Sequence, residues 1–138
     1  MPIQLEIITA ERVVLSDEVD QINVSTKDGR IGILPRHMPL LTILDAGEMT
    51  IIKNGESTPF AVSGGFMEVL PTRVTILADS ADRADEIDEA RAEEARSRAE
   101  ALLKDQTSEK DMRIAEAELR KALIQLKVAS LHRLKKPR

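Results

Sequence analysis

Glycine and proline are confined almost entirely to one part of the chain. All six glycines and five of the six prolines of this 138-residue sequence lie before residue 85, and only Pro137 lies after it. Glycine and proline punctuate short strands and turns, whereas their absence permits long helices. We therefore expect two domains of different architecture, one over residues 1–84 and one over residues 85–138.

Alternating polar and apolar residues predict β-strands in the first domain. Asn54-Gly55 lies between two apolar runs and is a strong hairpin signal, because both residues tolerate positive φ. About eight short strands at close spacing are typical of a β-sandwich or barrel, and we predict an antiparallel β-sandwich. The predicted strands cover residues 4–8, 13–15, 21–26, 31–34, 49–53, 58–63, 65–70 and 74–78.

Apolar residues three and four apart predict two helices in the second domain. The first runs from about residue 85 to residue 104, and the second begins after Ser108, where a hydroxyl and the Asp111 carboxylate fit a capping box. Two matching stripes joined by a short turn form an antiparallel helical hairpin, so the predicted fold class is α+β. The stripes consist of Ala92, Ala95, Ala99 and Leu102, and of Met112, Ala115, Leu119, Ala122, Leu126 and Ala129.

The small side chains of these stripes limit the stability of the hairpin. Burying one CH₂ group contributes about 0.8 kcal/mol, and alanine brings a single methyl. The second domain carries 12 acidic and 13 basic residues in 54, so it has little core of its own. We expect the hairpin either to fold against the sandwich or to extend onto another surface.

The composition excludes several classes of protein. The chain has no cysteine, only two aromatic residues (Phe60 and Phe66) and a formal net charge of −4. Disulfides and thiolate chemistry are therefore absent, and nucleic-acid binding is disfavoured, because it needs stacking aromatics and positive charge. No run approaches the eighteen or so apolar residues of a membrane span, and residues 1–10 lack the basic region of a secretory signal. We expect a cytosolic chain with no direct lipid insertion.

Three ordered motifs carry a family resemblance. Residues 28–41 combine a glycine-rich turn, a strand and a loop stiffened by two prolines. Residues 63–69 read Ser-Gly-Gly-Phe-Met-Glu-Val, and residues 75–79 lead into Ile-Asp-Glu-Ala-Arg-Ala at 87–92. With these motifs the sequence resembles the epsilon subunit of the rotary F-type ATP synthase over essentially its whole length.

The resemblance implies a non-catalytic subunit of the central stalk, or rotor, of a proton-translocating ATP synthase. In that family the sandwich is a foot that couples the gamma subunit to the membrane c-ring. The helical hairpin either lies folded or extends along gamma towards the alpha and beta subunits and inhibits ATP hydrolysis. The implied location is the cytoplasmic face of the cell membrane, as a peripheral part of the complex.

Two segments match the family's contacts with gamma and the c-ring. Lys27 to Gly32 matches the turn that faces the c-ring, and His37 to Pro39 matches the stretch placed against gamma and the ring. Arg30 departs from the pattern, because well-known bacterial members carry an acidic residue there, and the polarity of this contact is left open. An ordinary solvated turn is the alternative interpretation. The interface residues that the resemblance implies are Lys27, Asp28, Gly29, Arg30, Ile31, His37, Met38 and Pro39.

A third match concerns nucleotide binding. Ile87-Asp88-x-x-Arg91-Ala92 matches a motif that binds a regulatory ATP with magnesium in some family members. The resemblance implies no required cofactor. Gln125 replaces the family's second basic residue of helix two, one turn after Lys121. The alternative is a solvated helix face with Asp88–Arg91 and Glu94–Arg98 ion pairs. The implied nucleotide-binding residues are Asp82, Ile87, Asp88, Arg91, Ala92, Arg98 and Lys121.

The C-terminal segment is basic. The resemblance implies that Arg133, Lys135 and Lys136 form an inhibitory tail that approaches acidic segments of the beta subunits, whereas most basic tails are simply frayed and solvated. Ile124, Val128 and Leu131 form a second apolar strip on helix two, which we interpret as core or as a surface for a partner rather than as a membrane-binding face.

Two other functional classes remain as alternatives. A small hydrolase built on carboxylates and His37 lacks a recognisable nucleophile and base, and no phosphate-binding Gly-x-x-x-x-Gly-Lys motif is present. His132 is the only other histidine, so we expect no metal site. A free-standing binding module, such as a nucleotide sensor without a rotary role, is the second alternative.

Overall fold

The computed structural model describes residues 2–105 and 108–135, with the side chain of Lys135 excepted. Its first part consists of short strands separated by tight turns. Ten strands are present, against about eight expected. They are β1 (Ile3–Ile8), β2 (Val13–Val19), β3 (Gln21–Thr26), β4 (Gly29–Ile33), β5 (Leu40–Leu44), β6 (Gly47–Lys53), β7 (Glu56–Val62), β8 (Gly65–Val69), β9 (Arg73–Ala78) and β10 (Ala81–Arg83).

The strands form two layers. The hydrogen-bonded order is β10-β7-β6-β3-β5-β8-β9-β1-β2, with β4 on the other side of β3. Only the pair Thr26 and Leu44 joins β3 to β5, so the ladder bends there into two five-stranded layers. All pairs are antiparallel except β1 with β9, which run parallel. The predicted sandwich is confirmed, with this one parallel pair inside it.

Apolar side chains from both layers fill the space between them. The largest fully buried side chain is Phe60, and alternate residues of β1, β3 and β9 point inward with it. Gly65 has a φ of +127°, and a Cβ there would lie 2.1 Å from the carbonyl oxygen of Leu77. The absence of a side chain at Gly65 therefore allows β8 and β9 to approach closely.

A charged pair closes the edge between the layers. Lys53 Nζ donates to both carboxylate oxygens of Asp17 at 2.9 Å, linking β6 to β2. The Asp20 carboxylate accepts from the Asn54 N–H at 2.8 Å beside it. The Lys53 hydrogen bond, helped by the Glu18 N–H, holds the pKa of the Asp17 carboxyl below its usual range.

The second part contains the two expected helices. A single 3₁₀ turn (Ala84–Glu86) precedes α1 (Glu89–Lys104), and α2 spans Glu109–Lys135. The predicted start of α1 near residue 85 is wrong, because Ile87 is extended and Asp88 caps the helix by accepting from the Arg91 N–H. The Ser108 hydroxyl accepts from the Asp111 N–H at 3.2 Å, as expected for the start of α2.

The two helices meet along small side chains. Five alanines of the seam are buried, and the prediction for them is confirmed. The sequence pattern predicts Leu102 on the seam, but its side chain is 41% exposed, and Leu103 is the more buried of the two. Three full helical turns after Ala92 end at residue 103, so Leu103 and not Leu102 lies on the same face as Ala92. The buried alanines are Ala92, Ala99, Ala115, Ala122 and Ala129.

The hairpin packs on the outer surface of the sandwich through a small apolar cluster. Val128 of α2 is fully buried against Ala61 of β7 and Ala84, with Ile87 and Ile124 at the margin. The second apolar strip of α2 therefore faces the sandwich in this structure. These residues form a cluster separate from the core between the layers.

Candidate functional site

A cleft of about 400 Å³ lies between the hairpin and the end of the sandwich. β10 and the 3₁₀ turn form one wall, and facing residues of α1 and α2 form the rest. All seven residues that the sequence predicts for nucleotide binding line this cleft. They are Asp82, Ile87, Asp88, Arg91, Ala92, Arg98 and Lys121.

The basic residues of the cleft come from both helices. Arg91 lies in the first turn of α1, Arg98 lies two turns later, and Lys121 projects from α2. All three are exposed. Among the described side chains, none of the three has a carboxylate within ion-pair distance. Their charges are therefore available to an anionic ligand.

The alternative interpretation of this surface predicted two ion pairs along α1, and neither forms among the described residues. Asp88 instead uses its carboxylate to cap the helix, accepting from the Arg91 N–H at 3.2 Å. The ion pairs of α1 centre on Arg96, which contacts Glu93 and, at 3.1 Å, Glu100. Arg96 does not line the cleft.

The sequence analysis missed two carboxylates that share the cleft and the hydrogen bond that Gln125 makes there. Glu86 and Glu118 also line it. Gln125 Nε2 donates to Asp82 Oδ2 at 2.9 Å, joining α2 to β10. The signal for Glu118 was present, because it precedes Lys121 by three residues and so shares its helix face. No spacing rule points to a hydrogen bond between residues 43 positions apart.

The predicted turn at Lys27–Gly32 is a tight β3–β4 hairpin. The Thr26 hydroxyl donates to the Gly29 carbonyl at 2.7 Å, and Gly29 has a φ of +118°. Arg30 lies back across its own layer, where Nη1 donates to the Glu48 carbonyl at 2.7 Å. Lys27, Asp28, Gly29 and Arg30 are exposed, and Ile31 is half-buried.

The second predicted interface segment follows β4. The Arg36 N–H donates to the Pro71 carbonyl at 2.8 Å, and the Arg36 φ is +65°. His37 Nδ1 lies 2.8 Å from the Met38 carbonyl oxygen, and Met38 is 79% exposed, with Pro39 also exposed. The five residues of β4 separate this loop from the β3–β4 turn by about 17 Å. The structure thus places the two predicted segments at opposite ends of the sandwich.

An exposed apolar row crosses the outer face of one layer, and the sequence did not reveal it. Ile43, Phe66 and Leu77 are cross-strand partners on β5, β8 and β9. Their exposed fractions are 43%, 53% and 53%. The same row continues through Ile8 to Val13. Contiguous exposed apolar surface of this kind marks contact sites for other proteins.

The basic tail is only partly described. Arg133 Nε lies 3.3 Å from Glu89 Oε1, so it pairs the end of α2 with the start of α1. The side chain of Lys135 and the whole of Lys136 lie outside the described residues.

None of the helices in the described part of the chain combines the length and the apolar character needed to cross a membrane. Within the same residues, no group of histidine, aspartate and glutamate side chains is arranged to hold a metal ion.

The fold defines a class of protein in which a two-layer β-sandwich carries a helical hairpin on its outer surface. Residues 2–84 match the family model for the β-sandwich domain of the ATP synthase delta/epsilon chain, and residues 85–130 match that for its long α-helix domain. The chain therefore belongs to the ATP synthase delta/epsilon family.

Curated relatives agree over the full length. The chain is 70% identical over 136 residues to the ATP synthase epsilon chain of Chloroflexus aggregans, covering 99% of this chain and 98% of that one. It is 62% identical over 133 residues to the ATP synthase epsilon chain of Herpetosiphon aurantiacus, covering 96% and 98%. The chain is accordingly a non-catalytic stalk subunit, and the catalytic sites lie on other chains of the complex. This excludes the hydrolase alternative.

Solved structures show the same architecture. A chain in the mitochondrial ATP synthase of Euglena gracilis, in an assembly of OSCP, F1 and c-ring, has a TM-score of 0.70 and 25% identity, covering 95% of this chain and 82% of that one. A chain of the central stalk and c-ring of the Tetrahymena thermophila enzyme shares the fold with a TM-score of 0.58 and 15% identity, covering 94% and 97%.

Proposed function

We propose that this stalk subunit couples the gamma subunit to the c-ring within the rotor and brakes ATP hydrolysis through its hairpin. The observation that carries the proposal is the exposed apolar row of Ile43, Phe66 and Leu77 on a stiff sandwich. Torque transfer requires a rigid element with a firm contact on each partner. The sandwich has a continuous core, and the row offers an apolar surface that a partner can bury.

The apolar row is the proposed gamma surface. An interface core is depleted in charge and rich in aromatic and aliphatic side chains, as this row is. The turn at Lys27–Gly32 lies at one end of the sandwich and is polar, which suits the polar loops of the c-ring. The proposed location follows from these contacts: the cytoplasmic face of the membrane, bound through partners.

Co-assembly tests the gamma surface. Leu77→Asp places a charge in the middle of the row and is expected to abolish co-purification with gamma. Leu123→Asp is the matched control, because Leu123 is 48% exposed on α2, away from the row. Equal gamma binding by both variants would refute the assignment.

The hairpin is the proposed brake. It is held on the sandwich by a small cluster of mainly short side chains, so detachment costs little. In its extended position it reaches the alpha and beta subunits, where Arg133, Lys135 and Lys136 meet acidic segments. Deleting the residues after Val128 is expected to raise ATP hydrolysis by the assembled complex. Unchanged hydrolysis would refute the braking role.

We further propose ATP with magnesium as a regulatory ligand of the cleft. Arg91, Arg98 and Lys121 are available for phosphate oxygens. Four carboxylates line the same cleft, so a triphosphate whose charge is partly neutralised by magnesium suits it better than a free one. Bound there, the ligand would tie α1 to α2 and favour the folded hairpin.

Calorimetry tests this ligand. Arg91→Ala is expected to weaken ATP binding about 10- to 100-fold, the effect of losing one charged hydrogen bond. Arg96→Ala is the matched control, since Arg96 lies on the same helix outside the cleft. No heat from the parent chain at millimolar ATP would end the proposal.

A further inference from the structure

We propose that the hydrogen bond between Gln125 and Asp82 is a latch that holds the hairpin on the sandwich without any bound ligand. The inference rests on the hairpin being the movable element of the proposed brake. It goes beyond that role, because it proposes that two side chains of the chain itself, and no ligand, stabilise the folded position of the hairpin.

The bond lies at the point where it can act as a latch. Gln125 is near the middle of α2, and Asp82 is the central residue of β10. The donor and acceptor are 2.9 Å apart and partly buried. Among the side chains that the structure describes, it is the only hydrogen bond between α2 and a strand.

The surrounding contact is apolar and small, so this bond carries a large share of the attachment. Asp82 is the cross-strand partner of Ala61, which α2 covers through Val128. Hydrogen bonds to a charged acceptor are stronger than those between neutral groups. A partly buried carboxylate that loses its donor also pays a desolvation penalty until water reaches it.

The chemistry of the pair also makes the latch reversible. Gln125 is neutral, so separating it from Asp82 does not require work against an attraction between two full charges. Asp82 faces the open cleft, where water solvates its carboxylate as soon as α2 leaves. An ion pair at this position would bind α2 to β10 more tightly. A pair of apolar residues would not provide a directional hydrogen bond.

Thiol labelling of the covered surface tests the latch. The chain has no cysteine, and Ala61 is 1% exposed beneath α2, so Ala61→Cys introduces a single thiol that reagents reach only when the hairpin opens. In this background and without nucleotide, Gln125→Met is expected to raise the labelling rate about 10- to 100-fold. Gln125→Glu, which sets two carboxylates against each other, is expected to raise it at least as much.

The control is Lys127→Met, a substitution of similar length at an exposed site on the same helix, with a change of less than about threefold expected. Urea unfolding of the sandwich reports whether any variant loses the fold. An unchanged labelling rate in both Gln125 variants would overturn the latch.

A double substitution distinguishes the loss of this hydrogen bond from a general loosening of the hairpin. Asp82→Ala is expected to speed labelling as Gln125→Met does, and the two together are expected to add little more, because one bond is lost in each case. Fully additive effects would also overturn the proposal. The measurement uses the isolated chain without gamma or ATP, so it is independent of whether the brake or the nucleotide site exists.

Discussion

Shortening Val128 should release the hairpin while leaving the sandwich intact. Val128 is fully buried, and it packs on Ala61 and Ala84 in a cluster separate from the main core. Val128→Ala removes two methyl groups, worth about 1.6 kcal/mol in transfer free energy. The cavity left behind adds to this, giving a total of about 1.5 to 3 kcal/mol.

This free energy should act on the docking of the hairpin rather than on global unfolding. Alanine is the better helix former, so the substitution does not weaken α2 itself. A loss of 1.5 to 3 kcal/mol raises the undocked population about 10- to 100-fold. Because the hairpin has little core of its own, its amides should then exchange with solvent faster by the same factor.

Native-state hydrogen exchange measures this directly. Amides of α2 are expected to exchange about 10- to 100-fold faster in Val128→Ala, and amides of β1 and β9 at unchanged rates. Leu123→Ala, at a half-exposed site on the same helix, is expected to change the rates less than threefold. Equal acceleration in α2 and in the strands would show that the two domains unfold as one unit, and the reasoning would fail.

Three further predictions concern other parts of the molecule. Gly65→Ala should destabilise the sandwich by about 2–4 kcal/mol in urea unfolding, because its Cβ would overlap the neighbouring strand; a loss below 1 kcal/mol would contradict the crowding. The lowered Asp17 pKa contributes stability that is present above about pH 4 and is lost as the pH falls through the folded-state pKa. Lys53→Met should therefore make the melting temperature depend less on pH below pH 4. An unchanged dependence in that range would count against the contribution of the Lys53–Asp17 pair. Lys121→Met should weaken ATP binding about 10- to 100-fold in calorimetry, by removing a cation from the cleft, and an unchanged affinity would argue against a phosphate site there.

The sequence predicted those features that depend on local pattern. Ala115 and Ala122 lie on the helix seam because a 3.6-residue period places them there, and the sandwich follows from alternation and turns. The predicted strands omit β5, because its pattern is inverted: Thr42 is buried, whereas Leu41 and Ile43 face outward. The three-residue β10 is too short for any periodicity to show.

Features that depend on the register between distant segments could not be predicted from the sequence. The motif resemblance supplied the cleft residues, but the bond from Gln125 to Asp82 requires knowing how α2 lies on β10. The apolar row likewise exists only because Ile43, Phe66 and Leu77 are in register across three strands. Singly exposed apolar residues are common on protein surfaces, so none of the three was informative alone.

The exposure of Phe66 sets the size of its expected contribution to gamma binding. A phenylalanine side chain can bury about 150–250 Å², and 53% of Phe66 remains exposed, which leaves about 100 Å² for a partner. At 25 cal/mol per Å² this area corresponds to about 2.5 kcal/mol. Phe66→Ala retains the Cβ, so we expect a loss of about 2 kcal/mol, or roughly a 30-fold rise in the Kd for gamma.

The stability of the isolated chain should change by less than about 1 kcal/mol, because Phe66 points away from the core. Surface plasmon resonance against immobilised gamma measures the Kd, with Leu123→Ala as a control of similar exposure. If the two substitutions weakened binding equally, the effect would come from general hydrophobicity and the row would not be the contact. A loss confined to Phe66→Ala would place the gamma contact on β8, an inner strand of a layer whose opposite face is the core of the sandwich, as torque transfer requires.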